Sequence, residues 1–294
     1  KDPVKEDERQ RETQIERDAR TVDSVLDLFV KRHVSKLRSA DQVAHAFDTY
    51  VRPRIGSKSI YDVKRRDIAE MLDHVEGEAS DNERDRDGKV MADRVLAHVR
   101  KAFNWQATRD DEFRSPIVRG MARTKPKERA RKRVLTDDEI RDVWAALETA
   151  PDLPACYPPF VKSLLLCVTR RNESAYMNSI EVEGDNWTIP GDRYKNKLDH
   201  VIPLTLQAKA LIGEKPKGIK GNSWFIFSTT GGTKGFSGFS KAKRSLDAEV
   251  AKRRKAEGRE PMPNWTLHDL RRTARSLMSR AKVPADHAER CMGH

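Results

Sequence analysis

The run Thr266-Leu267-His268-Asp269-Leu270-Arg271-Arg272-Thr273 carries a histidine and an arginine three residues apart, with Gly293-His294 downstream. On a helix His268 and Arg271 share one face, whereas Leu270, Ala274, Leu277 and Met278 recur at core-facing spacing on another. One face packs and the other is left for chemistry. Thr266 with Asp269 three residues on is a capping-box pattern. It sets His268 in the first helical turn, where unpaired N–H groups and the helix dipole favour an anion such as a phosphate. An ordinary amphipathic helix with a basic outer face fits the same eight residues equally well, so the rest of the chain has to decide.

The 294 residues suffice for two domains, each with its own core. Lys and Arg number 58 against 46 Asp and Glu, a net charge of +12, which points to a polyanionic partner, DNA or RNA first. No apolar run is long enough to span a membrane. Cys156, Cys167 and Cys291 have neither paired nor metal-ligand spacing and read as buried thiols. No HExxH, GxGxxG or GxxxxGK[ST] motif is present, so no metal or nucleotide cofactor is implied.

Residues 1–20 hold six basic and seven acidic side chains and almost nothing apolar, a charged leader. Helical stripes follow: Val22, Val25, Leu26, Phe29 and Val30; then Val43, Ala46, Phe47, Tyr50 and Val51, with Pro53 and Gly56 expected to break the helix. Ile68, Met71, Leu72 and Val75 make a third stripe, and Met91, Val95, Leu96, Val99 and Phe103 a fourth. A compact four-helix domain is expected over 21–115. The stretch 116–133 contains Arg119, Arg123, Lys125, Lys127, Arg129, Arg131, Lys132 and Arg133 against one Glu; it reads as an interdomain linker, either lying along DNA or merely solvated. Thr136-Asp137-Asp138-Glu139 is a capping box that opens a second domain, 134–294. There Ile140, Val143, Trp144 and Leu147 mark one helix and Phe160 to Val168 a buried one. Ile180 to Glu183, Trp187 to Pro190 and His200 to Leu204 are strand-like, predicting a small antiparallel sheet; Trp224 to Phe227 reads as a strand or a buried turn, and Phe239 to Lys252 as helix.

Arg170-x-x-Glu173, a lysine in a β-turn (Lys195, with Lys197 two positions on), His268-x-x-Arg271 and Gly293-His294 occur in an order that resembles the tyrosine recombinases, or phage integrase family. The resemblance covers roughly residues 21–294. The stretches RVLTDDEIRDVWAAL, WTIPGDRYKNKLDHVIPL and HDLRRT are most similar to integrases of prophages and genomic islands. The fold it implies is mainly α (α+β): a helical SAM-like core-binding domain and a mixed α/β catalytic domain with a small antiparallel sheet. In that reading Arg170 and Arg271 neutralise charge on a pentacoordinate phosphorus, which two permanently protonated guanidiniums can do without a metal. His268 exchanges a proton or donates a hydrogen bond at the phosphate, His294 contacts a nonbridging oxygen, and Lys195 protonates the departing 5′ oxygen. Glu173 orients Arg170. The eight basic residues of 119–133 and Lys197 contact DNA.

Where the family usually has Thr-Gly, this chain has Cys167-Val168, so the helix break is expected to differ and Arg171 competes with Arg170; Glu173 favours Arg170. The family's nucleophilic tyrosine lies about nine residues beyond the Gly-His histidine. Tyr50, Tyr61, Tyr157, Tyr176 and Tyr194 are all upstream, so the sequence as given is expected to lack the nucleophile. Lys1-Asp2-Pro3-Val4 resembles the end of an upstream arm-binding domain. The resemblance implies a site-specific DNA recombinase that integrates and excises a mobile element, such as a viral genome or genomic island, through a 3′-phosphotyrosyl intermediate. It acts without a cofactor, as a homotetramer on double-stranded attachment sites, with an excisionase and a DNA-bending protein as candidate partners, in the bacterial cytoplasm at the nucleoid. The rival readings are a DNA-binding protein that only occupies such sites and a type IB topoisomerase or resolvase of the same chemistry.

Overall fold

A computed structural model of the chain describes residues 8, 11, 14–80, 88–125, 127 and 130–293. Arg129, His294 and much of the leader thus lie outside the described residues. The chain divides into two compact units, Lys1–Arg131 and Lys132–His294. Among the described residues no helix is long and apolar enough to cross a membrane.

The first unit is helical: α1 (Val22–Arg32), α2 (Ala40–Ala46), a π turn (Phe47–Val51), α3 (Arg52–Ile55), α4 (Arg65–Ser80) and α5 (Lys89–Ala107). Thr21 caps α1 by accepting from the Ser24 N–H at 3.2 Å, and Val22, Val25, Leu26 and Phe29 bury the stripe that the sequence shows. The expected break at Pro53 is not there. The helix runs through it to Ile55, because a π turn widens the backbone just ahead of the proline. The Arg54 guanidinium donates to the carbonyls of Thr49 and Tyr50, each at 3.3 Å, and so serves acceptors that the proline and the π turn leave short of donors. The stop comes at Gly56, where a Cβ would fall on the Asp23 carboxylate and the Arg52 carbonyl.

Part of the basic stretch is anchored to this unit. The Asp93 carboxylate accepts from the backbone N–H of Arg123 at 2.6 Å and of Thr124 at 3.1 Å, and from the Thr124 hydroxyl. The Arg123 guanidinium turns back to the Ala69 carbonyl at 3.1 Å and to Asp73. Polarity alone suggests a segment that cannot pack, but a carboxylate on α5 supplies the acceptor that packing needs.

The second unit comprises α6 (Asp137–Thr149), α7 (Tyr157–Leu166), α8 (Arg171–Ala175), β1 (Val182–Glu183), β2 (Asn186–Ile189), β3 (His200–Pro203), α9 (Leu206–Lys209), α10 (Phe239–Ala256), α11 (Leu267–Arg280) and α12 (Ala285–Met292). The strands form one antiparallel sheet in the order β1-β2-β3, with Trp187 opposite Ile202 and Ile189 opposite His200. Trp187, Ile189 and Ile202 face the core, as period-two alternation requires. Phe225 makes a single bridge to Asn178, so Trp224 to Phe227 is a turn rather than a strand. The α6 capping box is reciprocal: the Glu139 N–H donates to the Thr136 hydroxyl at 3.3 Å and the Thr136 N–H to the Glu139 carboxylate at 2.8 Å. Just before it, the Leu135 N–H donates to the buried Thr273 hydroxyl at 2.9 Å, which pins the start of the unit to α11. Of the cysteines only Cys167 is buried; Cys156 is half-buried and Cys291 is exposed on α12, correcting the expectation of three buried thiols.

Asp93→Ala should free the 119–125 segment. Limited trypsinolysis is expected to cut after Arg119 or Arg123 several-fold faster than in the wild type, and an unchanged pattern would mean that Asp93 does not hold the segment.

Candidate active site

The site is built around α11. The fully buried Asp269 carboxylate accepts from the Thr266 N–H at 2.8 Å and the Thr266 hydroxyl at 3.1 Å, and pairs with Arg272 at 2.6 Å. His268 therefore sits in the first turn, where backbone N–H groups have no intrahelical partner. Arg271 does not lie on an open face as its spacing suggests: it is 3% exposed, and its two terminal nitrogens donate to the carbonyls of Val168 and Met292.

Val168 explains the departure from Thr-Gly. The α7 helix ends at Cys167, and Val168 takes the left-handed conformation (φ 54°) that glycine adopts without strain and a β-branched residue resists. Its side chain is buried with Ala274 and Met292, so packing holds the unfavourable backbone that offers its carbonyl to Arg271. Two residues on, Arg170 is extended; its N–H and guanidinium donate to the two Glu173 oxygens at 2.7 and 2.6 Å. The Arg170 guanidinium also lies over the Tyr194 ring, 5.2 Å from its centroid. Arg171 instead points to α10, over the Phe239 ring at 4.4 Å. A cleft of about 540 Å³ opens here, lined among others by Arg170, Arg171, Lys243 and His268.

The β2–β3 turn carries Lys195 and Lys197, both exposed and without a side-chain partner among the described residues. Lys197 adopts φ 59°, and its carbonyl packs where a Cβ on Gly191 would be 2.7 Å away. The same turn reaches the end of α12: the Tyr194 hydroxyl lies 3.3 Å from the carbonyls of both Met292 and Gly293, and the Asn196 amide donates to Gly293 at 3.1 Å. Two residues of this network escape sequence reasoning. Tyr194 has the look of a solvated turn residue, and His200, stacked on the Tyr194 ring at 4.7 Å, has the look of an ordinary strand end.

Electrostatically the site is short of negative charge. Burial, and then the nearby Arg170, lower the Arg271 pKa. Burial opposes the charge on Arg170 too, but Glu173 and Tyr194 outweigh it and raise its pKa. Burial, with Arg272 and Arg271 next, pulls His268 below the ordinary histidine value. A negative charge beside Arg271 and His268 would oppose both of these lowered values.

The sequence matches the phage integrase family over residues 133–294, more than half of the chain. The chain belongs to the phage integrase family, the tyrosine recombinases of DNA integration and recombination. No curated protein matches it. Its fold recurs in a lambda integrase (75–356) dimer bound to a COC′ core site, with 20% sequence identity, 93% of this chain and 95% of that chain covered, and a TM-score of 0.66. It recurs in a lambda integrase tetramer bound to a Holliday junction (18%; 93% and 77%; 0.65) and in the Tn1549 transposon integrase (aa 82–397) in complex with circular intermediate DNA (14%; 93% and 92%; 0.65). The likeness is one of fold, which in this chain is mostly helical with one small antiparallel sheet.

In this phage-integrase chain the histidines give a pH signature. Burial lowers both His268 and His200 in the folded state. The unfolded chain, near the ordinary value of 6.5, binds protons first as pH falls. Their contribution to stability is therefore complete above that value and is lost as pH falls through it toward the folded values. Hydrogen exchange along Leu267–Arg280 should show less protection at about pH 5.5 than at about pH 7.5, and His268→Gln should flatten the difference. An identical pH dependence in the variant would contradict a depressed His268.

Proposed function

We propose that the chain is the DNA-binding and phosphate-activating part of a site-specific tyrosine recombinase that integrates and excises a mobile element. The observation that carries this reading is the pair Arg170 and Arg271, brought from separate elements to one site with His268 in the first turn of α11. A tyrosine oxygen attacks the phosphorus, the 5′ oxygen leaves, and a 3′-phosphotyrosyl bond conserves the energy for rejoining. Arg170 and Arg271 neutralise the phosphoryl oxygens. His268 donates to or exchanges a proton with the phosphate, His294 contacts a nonbridging oxygen, and Lys195 gives its proton to the leaving oxygen.

The first unit serves as the SAM-like core-binding domain (21–115), 116–133 as the link, and 134–294 as the catalytic domain. Arg119, Lys127 and Lys132 are exposed and suited to phosphates, as is Lys197. Arg123 and Arg133 are instead held by Asp73 and by Glu139, the latter at 2.6 Å, which favours a structural part for both. A tetramer on double-stranded attachment sites, with an excisionase and a DNA-bending protein as helpers at the nucleoid, completes the reading; the lambda integrase tetramer on a Holliday junction supports the assembly. None of the five tyrosines suits the nucleophile. Tyr157 and Tyr194 are buried, Tyr176 packs edge-on against Phe225, and Tyr50 and Tyr61 belong to the first unit. The family's nucleophilic tyrosine is assigned to none of these five.

Protein that includes this tyrosine, given DNA with a 5′-bridging sulfur at the cleavage point, tests the assignment, because a thiolate leaves without a proton. Lys195→Ala should cut ordinary DNA poorly and the sulfur substrate well, while Arg170→Ala and Arg271→Ala stay slow on both. Rescue of Lys197→Ala instead would move the acid two residues along the turn. A DNA-linked peptide that maps to any of the five internal tyrosines would overturn the placement of the nucleophile.

A further inference from the structure

We propose that Tyr194 is a positioning residue that fastens the Lys195 turn to the end of α12, so that the general acid is presented only when the Gly293 segment is seated. The proposal rests on the reading of Lys195 given above and adds a residue that the reaction itself does not call for.

Tyr194 is 3% exposed in a turn whose next five residues, Lys195 to Asp199, are all exposed. A turn with one buried side chain pivots on that side chain, and Lys195 is the adjacent residue. The ring meets the other parts of the site directly: His200 stacks on it at 4.7 Å and the Arg170 guanidinium lies over it at 5.2 Å. Its hydroxyl, with a single proton, lies 3.3 Å from two carbonyls and cannot donate fully to both. One of these, of Met292, already accepts from Arg271. Tyr194 and Arg271 thus share an acceptor, which ties the turn and the buried arginine to the end of α12.

Gly293 shows how closely the parts fit. Its φ is 66°, in the left-handed region, and a Cβ there would land on the Tyr194 hydroxyl. The Asn196 amide, on the other side of Lys195, donates to the Gly293 carbonyl at 3.1 Å. Lys195 is therefore bracketed by two side chains that grip the same residue, and its own side chain is left unpaired among the described residues. Such a device fixes the backbone and leaves the ammonium free to reach a leaving oxygen.

The test uses protein that includes the nucleophilic tyrosine, with single-turnover cleavage of ordinary and 5′-bridging-sulfur DNA and DNA affinity measured alongside. Tyr194→Phe removes the hydroxyl and keeps the ring. It should slow ordinary cleavage by roughly tenfold to a hundredfold, leave affinity within about twofold, and recover on the sulfur substrate as Lys195→Ala does. Tyr194→Leu also removes the ring under Arg170 and should recover only in part. Wild-type rates for Tyr194→Phe, or a slow rate that sulfur does not rescue while Lys195→Ala is rescued, would overturn the positioning role and leave the general acid standing. Failure of Lys195→Ala itself to be rescued would instead remove the reading beneath it. Hydrogen exchange across β2, β3 and α12 separates misfolding from loss of position: a Tyr194→Phe protein that is slow because the whole unit has loosened would also count against the proposal.

Discussion

Arg271 holds a positive charge where almost no water reaches it, and among the described residues no carboxylate pairs with it. Two backbone carbonyls each accept one of its hydrogen bonds but bring only partial charge, and burial, with Arg170 next, lowers its pKa. Two separate elements of the second unit supply those carbonyls. Val168 bends into a strained conformation to give one, and the last turn of α12 gives the other. In the proposed function a phosphate supplies that missing charge, since two fixed guanidiniums beside a helix N-terminus suit its oxygens.

The same constraint orders the rest of the site. Arg170 is held by a buried glutamate, which fixes its direction and keeps it charged, so the two arginines differ in kind: one is paired and partly exposed, the other unpaired and buried. Thr273 ties the floor of α11 to Leu135, and Asp269 ties its first turn to Thr266, so the helix that presents His268 and Arg271 is locked at both the N-cap and the core. A rigid frame of this type holds donors ready before the substrate arrives.

How much of this the sequence carries depends on the range of the contacts. Helical stripes, the capping boxes at Thr136 and Thr266, and the short strands are local, and period and spacing reveal them. Arg170, His268 and Arg271 are legible through their order along the chain and through the pairing of Arg170 with Glu173, three residues apart. Contacts between residues far apart in sequence leave no such trace. Tyr194 meets Gly293, and Arg271 meets Val168, across about a hundred residues each, and a tyrosine beside a lysine in a turn gives no sign that it is buried. Pro53 misleads for a different reason: its rule assumes a regular α-helix ahead of it, and the π turn with the Arg54 side chain removes that premise.

The central claim is that Arg170 and Arg271 together neutralise one phosphate. The direct measurement is cleavage of attachment-site DNA in which the phosphate at the cut point is replaced by an uncharged methylphosphonate, for the wild type and for Arg271→Ala in protein that includes the nucleophilic tyrosine. Removing the charge from the substrate should restore cleavage to Arg271→Ala, because the neutral phosphonate no longer needs the missing guanidinium. If the variant stays as slow on the neutral substrate as on the charged one, Arg271 does something other than balance charge at the phosphate, and the site has been assigned the wrong chemistry.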